Sequence, residues 1–218
     1  MTRNEFKQSL RSTLDLLDEQ DLLEDVRSLA SVTPSPEFRK CALSRRSTYT
    51  ELYRLGLWKR HYNFLLHDYS YHQFAHYPKP EQEMSLRYAF YVNPFDRSIS
   101  KGLHDIIDEF DYETYFQLLE EQAEDPHASV IRYDVSMGGY IELKHPAAHF
   151  HVGLHQDSRW PVDKILSPLA FALLCLKLFY SDNWGNVLDE KLENAKRECL
   201  ILPDANFSPK ERRQLYFT

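Results

Sequence analysis

Glycine and cysteine are both scarce in this sequence, which contains 6 glycines and 3 cysteines in 218 residues. So few glycines leave little scope for flexible linkers, and this length fits one large domain, which we place over residues 1–218. The cysteines, Cys41, Cys175 and Cys199, have no spacing typical of a metal finger. Their odd number and wide separation favour free thiols in a reducing compartment.

The sequence also lacks the signatures of several enzyme classes and of membrane proteins. No P-loop, dinucleotide-binding fingerprint, Gly-x-Ser-x-Gly elbow or kinase motif occurs. The N-terminus has no apolar signal core, and Pro168 and Lys177 interrupt the most apolar run, Ile165–Tyr180. Because that run is too short and too broken to cross a bilayer, we expect a cytoplasmic protein with no membrane partner.

Charge is distributed unevenly along a chain whose net charge is −7. The segment 36–60 has 7 basic and 2 acidic residues, whereas the segment 101–125 has 9 acidic residues and 1 lysine. The basic segment predicts contact with RNA or DNA, and the acidic segment predicts a protein partner; alternatively, both are solvated surfaces. The basic residues expected to bind a phosphate backbone are Arg45, Arg46, Lys59 and Arg60.

Helix signals are clearest near the two ends of the chain. Thr2 and Glu5 have the spacing of a capping box, and the apolar residues after them predict a helix that continues, or restarts, through Leu29. Ser167 and Pro168 predict the start of a helix that is apolar nearly all round and therefore buried. Further helices are predicted over 47–59, 103–119 and 188–199, and from 208 onward.

Short segments rich in aromatic and β-branched residues predict the strands. They cover 62–66, 71–77, 86–92, 130–135, 140–143 and 149–154, with a hairpin turn at 137–139. The sequence therefore predicts an α+β fold: one antiparallel sheet of five to six strands packed on a buried helix. Within the single domain we expect an N-terminal helical lobe (1–60), a sheet region with inserted helices (61–160) and C-terminal helices (161–218).

The strands 130–135 and 149–154 each combine an apolar face with a face of chemically capable groups. Side chains alternate along a strand, so Ile131, Tyr133 and Val135 share one face of the first strand, and Phe150, Val152 and Leu154 share one face of the second. If both apolar faces pack on the buried helix, the remaining side chains of the two strands share the opposite face of the sheet. The residues expected there are Arg132, Asp134, His149 and His151, with His155 continuing the row.

Two kinds of catalysis suit these residues. Paired histidines act as general base and general acid in phosphodiester cleavage without a metal, while Arg132 stabilises phosphoryl charge and Asp134 orients a histidine. Alternatively, Asp134, His149 and His151 bind a divalent metal that assists hydrolysis. A purely structural interpretation is also open, in which Arg132 and Asp134 form an internal ion pair beside partly exposed histidines.

Several motifs together resemble a bacterial protein family whose domain has no assigned function. They are Arg132-Tyr-Asp134, His145-Pro146, His149-Phe-His-Val-Gly153, Leu166-Ser-Pro168 and Phe179-Tyr180. The family implies no reaction and no catalytic residues. The Arg-Tyr-Asp and His-x-His elements are also similar to those of nuclease-like toxins. That likeness implies an RNase-like toxin or a phage-defence effector, and a non-catalytic interaction subunit or inhibitor of such a complex is the alternative.

Overall fold

The computed structural model describes residues 1–78, 84–95, 129–154 and 159–216. In these ranges seven strands form one antiparallel sheet, and each strand pairs with the next one along the chain. The strands are β1 (Leu23–Val26), β2 (Phe64–Leu66), β3 (Tyr71–Pro78), β4 (Met84–Tyr91), β5 (Val130–Ser136), β6 (Ala148–Val152) and β7 (Trp160–Pro161). A separate hairpin pairs β8 (Lys164–Ile165) with β9 (Leu200–Ile201).

Helices pack on both faces of the large sheet. In the described part of the chain they are α1 (Arg3–Glu19), α2 (Pro36–Leu43), α3 (Tyr49–Trp58), α4 (Pro168–Phe179), α5 (Ser181–Trp184), α6 (Asp189–Glu198) and α7 (Pro209–Tyr216), with a short 3-10 helix at Met137–Gly139. None of these helices is long and apolar enough to span a membrane.

One face of the sheet, the α1/α4 face, packs against α1 and α4 and forms the larger apolar core. Ser167 caps the first turn of α4 by accepting a hydrogen bond from the backbone N–H of Ala170, and proline occupies the first helical position. The Phe171 ring of α4 lies 5.7 Å from that of Tyr88 and 6.4 Å from that of Phe150. This packing places the apolar residues of β3 to β6 against the helix.

The opposite face, the cavity face, packs against α2 and α3 only in part. Phe38, Leu52 and Leu57 cover Tyr71 and Tyr91 at the ends of β3 and β4. Helix α3 can approach this closely because residue 56 is glycine: a Cβ there would lie 2.0 Å from the hydroxyl oxygen of Tyr71. Among the described residues, polar side chains of β4, β5 and β6 lie on the part of this face that these apolar residues do not cover.

The predicted α+β class and antiparallel sheet are confirmed, with seven strands rather than five to six. The N-terminal capping box is confirmed, but the predicted continuation of the helix through Leu29 is wrong. The chain leaves α1 through Asp21, whose φ is 51°, and residues 23–26 then pair with β2 as the edge strand. Apolar spacing did not reveal this strand because Leu22, Leu23 and Val26 also fit a helical period.

A strand at 140–143 is also a wrong prediction. Instead, Ile141 bridges to His145, the φ of Leu143 is 61°, and the Glu211 carboxylate accepts hydrogen bonds from the Leu143 N–H and the Tyr140 hydroxyl. The segment is therefore a loop held by α7, and β5 pairs directly with β6. The predicted helix at 103–119 lies outside the described residues.

Candidate functional site

Two rows of side chains run across the cavity face from β3 to β6. Antiparallel pairing sets each row, because directly opposed residues point to the same face. One row contains Ala75, Arg87, Asp134 and His149, and the other contains Gln73, Ala89, Arg132 and His151. The shared face predicted for Arg132, Asp134, His149 and His151 is confirmed by this register.

Asp134 lies at the centre of the polar group. Arg87 Nε donates a hydrogen bond of 3.0 Å to its Oδ1. Arg132 Nη2 lies 4.0 Å and His151 Nε2 lies 3.6 Å from its Oδ2, both longer than a hydrogen bond. Among the described residues, the buried Nε of Arg132 has no hydrogen-bond partner. Among the described residues, the Asp134 carboxylate therefore accepts a hydrogen bond at Oδ1 and has only longer contacts at Oδ2.

His149 is held in a defined tautomer by the backbone. Its Nδ1 lies 3.0 Å from the carbonyl oxygen of Pro146, and because a carbonyl can only accept, Nδ1 donates the hydrogen. Nε2 is then the nitrogen with a lone pair. Burial, and then the charge of His151, lower the pKa of His149 to about 4, so the ring is neutral near pH 7.

The two histidines and the aspartate converge closely enough to share one ligand. His149 and His151 have ring centroids 4.8 Å apart, and both are buried. One nitrogen from each histidine and a carboxylate oxygen of Asp134 all lie within 4.8 Å of one another. Neutral imidazole nitrogens and a carboxylate oxygen are common ligands of divalent transition metals. These three residues can therefore hold a metal or transfer protons to a bound substrate.

A cavity of about 540 Å³ lies over these rows, between the sheet and α2. Phe38, Ala42 and Leu43 of α2 line its apolar side. Five arginines and a single carboxylate, that of Asp134, are among the described residues that line it. The arginines are Arg39, Arg45, Arg87, Arg132 and Arg159. The described lining of the cavity thus carries more positive than negative charge, in a chain whose net charge is −7, and this suits an anionic ligand.

The predicted phosphate-binding residues lie in different places. Arg45 lines the cavity. Arg46 is exposed and is absent from the cavity lining, and Lys59 lies 4.0 Å from Glu37. Arg60 donates to Asp25, 2.9 Å away, at the other end of the sheet. His155 and the acidic segment 101–125 lie outside the described residues.

The position predicted for Leu154 is wrong. Strand β6 ends at Val152, and Gly153 follows with φ of 94°, a left-handed conformation that glycine adopts readily. Leu154 therefore packs with the apolar cluster under α2 and α3 rather than against α4.

Sequence reasoning missed several residues that line the cavity, above all Arg87. The signal for Arg87 was present, because it alternates with Leu86 and Tyr88 in a predicted strand as Arg132 alternates with its apolar neighbours. Applying the same parity to β4 would have found it. Arg39 and Arg159 had no such signal, since their positions depend on how α2 and the chain after β6 approach the sheet.

Comparison with known proteins identifies the family of the chain. No curated protein matches the chain, and no solved structure does. A family described as an uncharacterized conserved protein, DUF2290, matches residues 17–218, which is most of the chain. The chain therefore belongs to the DUF2290 family.

Proposed function

We propose that the protein is a phosphodiesterase that acts on nucleic acid, with single-stranded RNA as the first substrate to test. The observation that carries this proposal is the cavity itself: its described lining has five arginines against one carboxylate, with two histidines beside that carboxylate. An RNase-like toxin or phage-defence effector would have this activity.

The floor of the cavity presents two guanidinium groups that suit a phosphate group. Arg87 and Arg132 approach the same carboxylate from two sides, at 3.0 and 4.0 Å, so an anion placed above Asp134 is within reach of both. Guanidinium groups bind phosphate oxygens through paired hydrogen bonds. Nε of Arg132 is buried and has no partner among the described residues, so a phosphate oxygen would give this donor an acceptor.

The reaction needs a proton acceptor and a proton donor at one phosphorus atom. A water molecule, or the 2′-hydroxyl of RNA, forms a new P–O bond and loses its proton, while the bridging P–O bond breaks and its oxygen gains a proton. His149 and His151 lie side by side for these transfers, with Asp134 3.6 Å from His151 to stabilise its protonated form. The same three residues can instead bind a divalent metal that activates the water.

The test is cleavage of labelled single-stranded RNA, single-stranded DNA and duplexes by the purified protein, with and without EDTA. We expect cleavage of at least one substrate, and a loss of roughly 100-fold or more in the double variant His149→Gln with His151→Gln. EDTA sensitivity separates the metal route from direct proton transfer.

Arg46→Ala is the control, because Arg46 follows Arg45 in the basic segment 36–60 but, unlike Arg45, does not line the cavity. It should cleave at the wild-type rate, whereas Arg132→Ala should not. The proposal fails if the protein cleaves no substrate, or if cleavage persists in the double histidine variant.

A further inference from the structure

We propose that Asp134, His149 and His151 bind one first-row divalent transition-metal ion, for which Zn²⁺ is the probe. The proposal deepens the proposed function and rests on it for the role of the ion, which would be the cofactor of hydrolysis. The binding itself follows from the arrangement of the three side chains.

The donor atoms are already close to the spacing that a metal requires. They lie within 4.8 Å of one another, and bonds of about 2.1 Å to a tetrahedral ion place neighbouring donors about 3.4 Å apart. Small rotations about the side-chain bonds would close that gap. The residues come from adjacent positions on β5 and β6, and strands are rigid supports that position ligands accurately.

The contacts behind the donors are those of a metal site. His149 donates from Nδ1 to the carbonyl oxygen of Pro146, which leaves the lone pair on Nε2 for a metal ion. Arg87 holds Oδ1 of Asp134, so Oδ2 is the oxygen on the side of His151. Hydrogen bonds of this kind orient metal ligands in known sites.

The donor set also indicates which ion would bind. Two imidazole nitrogens and one carboxylate oxygen suit zinc and its first-row neighbours, whereas magnesium and calcium prefer oxygen ligands alone. Three protein ligands leave positions for water and for a substrate oxygen, as in catalytic zinc sites. Arg87 and Arg132 would then contact the anionic ligand rather than the metal.

The interpretation as an ion pair alone accounts for less of the geometry. Arg87 and Asp134 form an ion pair at 3.0 Å, yet both histidines are also buried beside that pair. The ion pair does not require imidazoles beside it, and a buried imidazole nitrogen needs a polar partner. A shared ligand gives the histidines a role.

Isothermal titration of ZnCl₂ into chelator-treated, desalted protein under reducing conditions tests the proposal, with CoCl₂ absorption as a second readout of the coordination sphere. We expect one ion per chain and no binding of MgCl₂. Asp134→Asn, His149→Gln and His151→Gln should each weaken Zn²⁺ binding at least ten-fold. Circular dichroism and thermal unfolding without metal show whether each variant is folded.

His145→Gln is the matched control, because His145 lies in the same cavity, with its ring 5.3 Å from that of His149, but is outside the group of three. It should bind Zn²⁺ within about three-fold of wild type. Absence of 1:1 binding, unchanged binding in folded variants of the three residues, or loss of binding in the control would overturn the assignment.

The outcomes also separate this inference from the proposed function. A protein that binds Zn²⁺ but cleaves no nucleic acid would refute the function and leave the metal site. Cleavage that resists EDTA, in a protein that binds no Zn²⁺, would refute the metal site and leave the proposed function.

Discussion

The two faces of the sheet are built from the same strands but differ in what their side chains contact. On the α1/α4 face, the rings of Tyr88 and Phe150 pack against Phe171, and the ring of Tyr133 packs against Phe150. These rings are buried or half-buried. On the cavity face, the alternate residues of β4 to β6 include two arginines, one aspartate and two histidines. The α1/α4 face therefore provides the larger apolar core, whereas the cavity face combines a smaller apolar core under α2 and α3 with polar side chains that line a cavity.

Two buried histidines make the contrast specific. His72 lies on the α1/α4 face against Phe74, Phe90 and Phe171, and its buried Nδ1 has no hydrogen-bond partner in the described part of the chain. His149 is equally buried, but it donates to Pro146 and lies beside His151. The first is therefore part of an apolar core, and the second is part of a polar group with a defined orientation.

The largest effect on stability should come from Phe171→Ala. Phe171 is fully buried, and truncating a buried phenylalanine removes apolar contacts and leaves a cavity. We expect the free energy of unfolding to fall by about 4 kcal/mol, measured by urea denaturation at pH 7. Leu178→Ala is the control on the same helix, because Leu178 is 56% exposed and should cost much less. Similar losses in the two variants would contradict the assignment of this face as the core.

The next largest effect on stability should come from His72→Phe, and the size of this effect should depend on pH. Burial lowers the pKa of His72 to about 3, below its ordinary value of 6.5, so the unfolded chain binds the proton first. The wild type should therefore lose stability as the pH falls from 6.5 toward 3. At pH 4 this group alone accounts for roughly 3 kcal/mol, which phenylalanine does not lose.

Urea denaturation at pH 7 and pH 4 measures this effect as the difference between variant and wild type. The other histidines, including His149, are present in both proteins and cancel in that difference. We expect the His72→Phe variant to gain about 3 kcal/mol over wild type between the two pH values. A difference that stays constant with pH would show that His72 is accessible to protons in the folded state.

Much of the fold followed from local patterns in the sequence. The caps at Thr2 and Ser167 and the alternation in β4, β5 and β6 act over a few residues and identified the correct elements. The edge strand β1 did not follow, because its conformation is fixed by pairing with β2, about 40 residues away. Pairing between distant segments overrides a short apolar spacing that fits helix and strand equally well.

Local alternation along the strands also predicted the central residues of the site, but not the residues at the rim of the cavity. Strand parity alone places Arg132 and Asp134 on the same face as His149 and His151, whereas their direct opposition follows from the register of β5 and β6. The positions of Arg39 and Arg159 at the rim depend on the packing of α2 and on the return of the chain after β6, which no local pattern encodes. Two of the basic residues chosen from charge alone, Lys59 and Arg60, instead lie beside acidic residues elsewhere, Glu37 and Asp25.

The smallest effect on stability should come from Arg132→Met, at the centre of the cavity face. The guanidinium of Arg132 lies 4.0 Å from Asp134, and 24% of the Arg132 side chain is exposed. Arg87 lies closer to the same carboxylate, at 3.0 Å. We expect the free energy of unfolding to change by less than about 1 kcal/mol, since a loosely paired cation contributes little. Inorganic phosphate, however, should raise the melting temperature of wild type and not that of the variant, because the variant lacks a guanidinium above Asp134. Destabilisation as large as that of Phe171→Ala, with an unchanged response to phosphate, would make Arg132 a structural residue and remove the functional difference between the two faces.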